Sequence, residues 1–379
     1  MTAPTAEDLR PDYLLDPEIT FLNHGSFGAC PRPVFESYQR WQLELEREPV
    51  DFIAYRLPAL LATARGELAR YLDAPPTDIA FVTNATTGVN LAARSLDLRP
   101  GDEILTTDLE YGACDLAWEW LCRRTGATYV RAPIPLPLAR AEELTEALFA
   151  RATERTRVLY VSHITSATAL VLPVEEIVRR AREHGLVTIV DGAHAPAHVD
   201  LDLDALGADF YAGNAHKWLL APKGAGFLHA RPEHQEAVDA ATVSWGYSEG
   251  LGFQDRVEMQ GTRDPAAWLA LPDAIRYQAE RDWDAVRARC RAFTREARAE
   301  LCELMGTEPL APEAMLGQMA SVRHPRPDPG LRDRLFTNHH VEIPVTGPNH
   351  DMLRISIAAY TTRDDLDRLL AALARELDA

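Results

Sequence analysis

The chain has 379 residues, 46% hydrophobic and 25% charged, a composition that gives a globular protein with a core of its own and excludes disordered, collagenous and fibrous classes. Asp and Glu outnumber Lys and Arg by 57 to 39, for a formal charge of -18, so neither nucleic acid nor an anionic membrane is an expected partner. The five cysteines are an odd number without C-x-x-C spacing; they suggest no disulfide framework and fit a reduced, cytoplasmic location.

No segment is continuously apolar for about 20 residues, and the acidic N-terminus lacks a signal-peptide pattern. Apolar residues at near-helical spacing predict helix over residues 34–72, divided by Pro49 and Pro58. From Ile79 short apolar runs alternate with amphipathic segments: IAFVTN, a helix at 88–95, EILTTD, a helix at 114–124, TYVRAPI, a helix at 139–150, TRVLYVSHI, a helix at 174–184, LVTIVDGAH and ADFYAGNAH. That alternation predicts an α/β fold with a mainly parallel sheet covered by helices, whose ligands lie beyond the carboxyl ends of the strands. Beyond Gly261 a charged helical stretch spans 265–305, a Pro-rich loop 323–329, then VEIPV, LRISIA and a closing helix at 362–377, together a smaller C-terminal α+β domain. The expected division is an N-terminal segment and helix at 1–55 packing on the small domain, a large α/β domain at 56–262 and a small α+β domain at 263–379.

Asp191 ends a run with the length and β-branched content of a buried strand, which puts its carboxylate at the ligand edge, although a turn or cap Asp fits the same position. Lys217 follows a His at the end of the next strand and precedes Trp218 and Leu219, unusual company for a residue that normally occupies a solvated face. A lysine there can form a Schiff base and an aspartate at the neighbouring strand end can keep a pyridinium nitrogen protonated, the pairing that pyridoxal phosphate chemistry requires. Asp191, His194 and His198 do not read as a metal site, because they share one loop without a second carboxylate.

The segments FLNHGSFGACPRPVF, FVTNATTGVN, DLEYGACDLAW, VSHITSATALVLP, VDGAHAPAHVDLDLDALGADFYAGNAHKWLLAPKGAGFLHAR, QGTRDPAAWLALP and LRISIAAY resemble the class V, fold type I pyridoxal phosphate enzymes, and within them the isopenicillin N epimerase-like branch. The resemblance implies that Lys217 carries pyridoxal 5'-phosphate, Asp191 pairs with its pyridine nitrogen and His194 with its phenolic oxygen. It also implies that Tyr111 stacks over the ring, that Thr86 with the adjacent amide of Ala85, Asn214 and His216 surrounds the phosphate, and that Thr262 reaches it from the second subunit of a homodimer. Arg354 is implied for the substrate carboxylate, with Asn23 and Ser166 at the same place. Two departures from the family pattern are Asn214, where many relatives have Ser, and Ser166-Ala167-Thr168, where others have Asn or Pro.

A cysteine desulfurase of this kind needs a loop cysteine before the carboxylate-binding Arg, and no cysteine lies between Cys302 and Arg354. The leading expectation is therefore a cytoplasmic epimerase acting on an amino acid or peptide-like substrate, with Lys217 as base, Asp191 supporting the ring and Tyr111 as candidate for the second acid. The alternatives are a carbon-sulfur lyase, an aminotransferase, or a non-catalytic binding protein of the same fold.

Overall fold

The computed structural model describes residues 4–347 and 349–378. Seven strands form the central sheet: β1 (Ile79–Val82), β2 (Glu103–Thr107), β3 (Thr128–Ala132), β4 (Thr156–Ser162), β5 (Val187–Gly192), β6 (Phe210–Asn214) and β7 (Gly226–Ala230), in the spatial order β1-β7-β6-β5-β4-β2-β3. Pairings within β6-β5-β4-β2-β3 are parallel, while β7 runs antiparallel to both β1 and β6. The mainly parallel α/β architecture follows the sequence reading. β7 is the addition, because its GFLHA run contains a single β-branched or aromatic residue.

Both sheet faces are buried, as continuous apolar runs require. Leu159, Val161 and Val190 enter one core, while Val158, Tyr160 and Ile189 enter the other. The second face is covered by α3 (Ala85–Arg94) and α4 (Gly112–Thr125), through Val89, Cys114 and Trp118. The first carries α2 (Leu57–Tyr71), preceded by α1 (Arg32–Arg47); Pro58 does not divide the helix as expected, because a π-helical stretch at Asp51–Arg56 runs straight into α2.

The long helical stretch expected at 265–305 is interrupted. Pro272 opens Leu271–Ala279 and Asp282, at φ +46°, turns the chain before Trp283–Met305. The C-terminal sheet joins Val345–Thr346, Met352–Ser356 and Met319–Arg323 antiparallel, with Met352–Ser356 central. Its core takes in Leu353, Ile355, Leu366 and Leu369, together with Leu9 and Leu22 from the other end of the chain. Among the described residues no helix is long and apolar enough to cross a membrane.

The chain leaves β2 for β3 at the sheet edge and returns to β4 on the opposite side of β2, so β2 and β4 separate at their carboxyl ends. Their pairing stops at Leu105 with Leu159. A crevice at such a switch point is where open α/β sheets bind ligands. On the far side, β7 starts directly against the entry to α3: a Cβ on Gly226 would lie 2.7 Å from the Asn84 Cα. Gly226→Ala should force these backbones apart and cost about 1–3 kcal/mol, the usual range for overpacking. An unchanged urea midpoint would show that the contact is not tight.

Candidate active site

Lys217 lies on the loop between β6 and β7, whose backbone is held by the Ala215 and His216 amides donating to the Ala225 carbonyl at 3.0 and 3.2 Å. An N-terminal strap crosses this loop. The His24 Nε2–H donates to the Lys217 carbonyl at 3.2 Å, while its Nδ1 accepts from the Tyr360 hydroxyl at 3.0 Å. This pairing needs a neutral imidazole, and burial provides it by pushing the His24 pKa down to about 3. Gly28 packs on the same backbone at φ +72°, where a Cβ would meet the His216 carbonyl at 2.2 Å, so glycine is required.

The Lys217 amine is 3.1 Å from His194 Nε2. Burial, reinforced by the charge of Arg354 and opposed by Asp191, lowers its pKa to about 7. Burial also holds His194 neutral, and its Nδ1 has no partner among the described residues. Asp191, the penultimate residue of β5, accepts from the Ala193 amide at 2.9 Å, the Tyr160 hydroxyl at 3.4 Å and the Cys114 thiol at 3.6 Å. Burial raises its pKa, and among the described residues no basic side chain pairs with it at ion-pair distance. It is a buried carboxylate with room for a cationic partner.

At the other end of the cavity Asn84 caps α3, accepting from the Thr87 amide at 2.9 Å. The Ala85 amide donates to Asn214 Oδ1 at 2.8 Å, so it does not face the cavity as the sequence suggested. The longer side chain of Asn214, compared with Ser, captures that amide. Thr86 lines the cavity, and its amide has no acceptor among the described contacts, which leaves one helix-start N–H for an anion. His216 donates from Nδ1 to the Ala225 carbonyl at 3.1 Å, and burial lowers its pKa to about 4.

Arg354, on the central C-terminal strand, reaches the cavity from above. Its Nη1 donates to the Ser166 carbonyl at 2.6 Å and hydroxyl at 3.3 Å; Nη2 donates to Ser26 Oγ at 2.8 Å and Asn23 Oδ1 at 3.4 Å. These acceptors are all neutral. No carboxylate pairs with the guanidinium among the described residues, its Nε lacks a partner, and burial lowers its pKa to about 10. A buried, uncompensated cation is costly unless a ligand brings the counter-charge.

Lys217, Asp191, His194, Thr86, Tyr111, Asn214, His216, Ser166 and Arg354 thus surround one cavity of about 430 Å³. Asn23 stands behind Arg354 and Ala85 is turned away. Thr262 lines a separate cavity near Trp245 and Trp268. His198 accepts from the Gln318 amide instead of joining Asp191 and His194. Sequence reasoning missed Ser26, Phe27 and Glu110. The small residues around Ser26 and the Glu directly before Tyr111 were the available signals. Glu110 fills the split between β2 and β4, accepting from Thr107 Oγ1 at 2.6 Å and from the Ser162 amide and hydroxyl at 2.8 and 2.6 Å. Burial pushes its carboxyl up to about 8, opposed by the Ser162 and Thr107 donors, as it anchors the Tyr111 turn.

The aminotransferase class-V family model matches residues 35–369. The isopenicillin N epimerase of Streptomyces clavuligerus is 41% identical over 97% of this chain and 97% of its own length. A putative L-cysteine desulfhydrase of Oryza sativa subsp. japonica is 33% identical over 80% of this chain and 67% of its own. Among solved structures, the cysteine desulfurase CsdA of Escherichia coli superposes with a TM-score of 0.83 at 23% identity, covering 100% of this chain and 99% of the other.

The low pKa of Lys217 has a definite sign in stability. Between about 7 and the ordinary lysine value of 10.5 the unfolded chain binds the proton that the folded chain releases, so the burial penalty is full below 7 and fades as pH rises to 10.5. In the cofactor-free protein, Lys217→Met should therefore melt above the parent at pH 6.5, with the gap closing by pH 10.5. A gap independent of pH would show that the amine is not desolvated.

Proposed function

The chain belongs to the aminotransferase class-V family of pyridoxal 5'-phosphate enzymes, and on that premise we propose that it inverts configuration at the Cα of an amino acid or a peptide-like substrate. The observation that carries the cofactor part is a pair of groups in one cavity, neither at ion-pair distance from an opposite charge among the described residues: a lysine amine whose pKa burial lowers and a buried carboxylate. They fit the cofactor's carbonyl carbon and its ring nitrogen, and the unpartnered Thr86 amide fits its phosphate. Bound there, the cofactor supplies a protonated ring that delocalises the electron pair left at Cα.

Lys217 would hold the cofactor, and its amine is the group proposed to move the proton at the substrate's Cα. Its pKa near 7 leaves a large neutral fraction at neutral pH, as a general base needs. Asp191 keeps the ring nitrogen protonated, with Tyr160, Cys114 and the Ala193 amide fixing its orientation. His194 would hold the phenolic oxygen, and Tyr111, which lines the same cavity, would stack on the ring and is the candidate to carry the second proton. Arg354 receives the α-carboxylate, with Ser26, Ser166 and Asn23 setting the plane of its fork.

Inversion is favoured over sulfur transfer by the 41% identity to an isopenicillin N epimerase across nearly the whole chain and by the missing loop cysteine. Cys30, the thiol closest to the strap, is a poor nucleophile because burial pushes its pKa up to about 12. A carbon-sulfur lyase is the second reading, supported by the desulfhydrase relative. A homodimer completes the proposal. Thr262 shares its cavity with Trp245, which is 79% exposed, next to Val243 at 76%; a second copy would cover both and bring Thr262 to the partner's phosphate end.

In deuterated water, NMR of the holoenzyme with a panel of L- and D-amino acids and γ-linked peptides should show exchange and inversion at Cα. Arg354→Lys should require about 10- to 150-fold more substrate, the equivalent of losing ~1.5–3 kcal/mol of charge-assisted contact. A keto acid with the amine form of the cofactor would instead establish an aminotransferase, and pyruvate with released sulfur a lyase. Sedimentation should give a dimer with an interface above ~2,000 Å². A fully active monomer would remove the role given to Thr262.

A further inference from the structure

The whole chain contains two lysines, Lys217 and Lys223, and both line the same cavity. The rest of its 39 basic residues are arginines. An ammonium is thus not the default cation of this protein, and the mechanism above leaves the second one unused.

Lys223 stands six residues after Lys217 on the loop between β6 and β7. The loop is pinned on both sides of it: Gly224 follows at φ +96°, the Ala225 amide donates back to the Pro222 carbonyl at 3.3 Å, and the Ala225 carbonyl takes the two amides that precede Lys217. The side chain is exposed at the cavity mouth, and among the described residues it has neither a hydrogen-bond acceptor nor a carboxylate at ion-pair distance. Partial desolvation lowers its pKa. The neighbour whose field would favour the charge is Cys30, a thiol that burial keeps neutral.

The charge lining the cavity is unbalanced. Lys217, Lys223 and Arg354 face one carboxylate, Asp191, in a protein whose net charge is -18. The two cations that hold no cofactor carbonyl act in different places. The field of Arg354 falls on Lys217 and His194, whereas that of Lys223 falls on His24, Cys30 and His216. One carboxylate at Arg354 therefore leaves the charge at Lys223 uncompensated.

We propose that Lys223 seats a second anion, apart from the carboxylate at Arg354: the phosphate of the cofactor, or a distal carboxylate on the amino-acid substrate. A compact ammonium with three donors suits either oxyanion, and unlike a guanidinium it does not need the width of a planar fork beside the tightly packed strap. The inference rests on the proposed reading of the cavity as a site for pyridoxal 5'-phosphate and an amino acid.

The test compares the parent with Lys223→Gln and Lys223→Arg in two arms. In the first, cofactor-free protein is titrated with pyridoxal 5'-phosphate and with unphosphorylated pyridoxal. In the second, holoenzyme is titrated with amino dicarboxylates of increasing length and with their monocarboxylate counterparts, followed by the visible spectrum. Lys223→Gln should weaken the anion-bearing member of one arm tenfold or more and leave its uncharged counterpart unchanged, with Lys223→Arg recovering part of the loss. A change in the first arm identifies the phosphate, and a change in the second the substrate carboxylate.

Protein labelled with ¹³C at the lysine ε-carbon gives two lysine signals, so the response of Lys223 is also readable without any variant. If the Lys223 signal and the ligand preferences stay unmoved in both arms, the inference is overturned while the cofactor reading stands. If the parent binds neither pyridoxal compound, both are overturned.

Discussion

The site depends on the contact between the N-terminal strap and the backbone of the Lys217 loop. Four of the contacts made by residues 23–28 tie the site together: His24 to the Lys217 carbonyl, the Gly25 amide to Ser356 Oγ at 3.0 Å, Ser26 to Arg354, and Gly28 against His216. Two of these address the C-terminal sheet and two address the loop after β6. Lys217 and Arg354, 137 positions apart in the chain, are therefore referred to one short piece of backbone. Because His24 is fully enclosed and must stay neutral, the tie is insensitive to pH across the range where the enzyme's own groups titrate.

Burial, more than ion pairing, sets the electrostatics of the cavity. The acidic surface keeps its charges in solvent-screened pairs such as Arg179 with Glu176, which contribute little. Inside, burial holds His194, His24 and His216 neutral, raises the pKa of Glu110 and brings Lys217 toward neutrality. Asp191 and Arg354 remain as opposite charges that do not meet, each surrounded by neutral hydrogen-bonding groups. An amphoteric ligand, with a cationic ring at one end and a carboxylate at the other, matches that separation.

Much of this was legible in the sequence because the strands of an α/β sheet end in polar residues wherever the ligand edge lies. Asp191 was placed by that logic, and the lysine was singled out by its apolar neighbours. Two kinds of feature were not legible. Pairings that depend on side-chain reach, such as Asn214 taking the Ala85 amide or Glu110 filling the split between β2 and β4, follow from three-dimensional spacing that periodicity does not encode. β7 was hidden because a short strand bounded by glycine, protected by neighbours on both sides, needs little β-propensity of its own.

The position of β7 also orders events in time. β1 and the start of α3 complete their pairing only with residues 226–230, and the strap near residue 25 closes only on Ser356. During synthesis at roughly 5–20 residues per second, the Thr86 end of the cavity lacks its wall until residues 226–230 have emerged, and the opposite end lacks its arginine until residue 354 has. A nascent chain short of that point has no assembled pocket to load: it would expose the Lys217 amine without the groups that surround it.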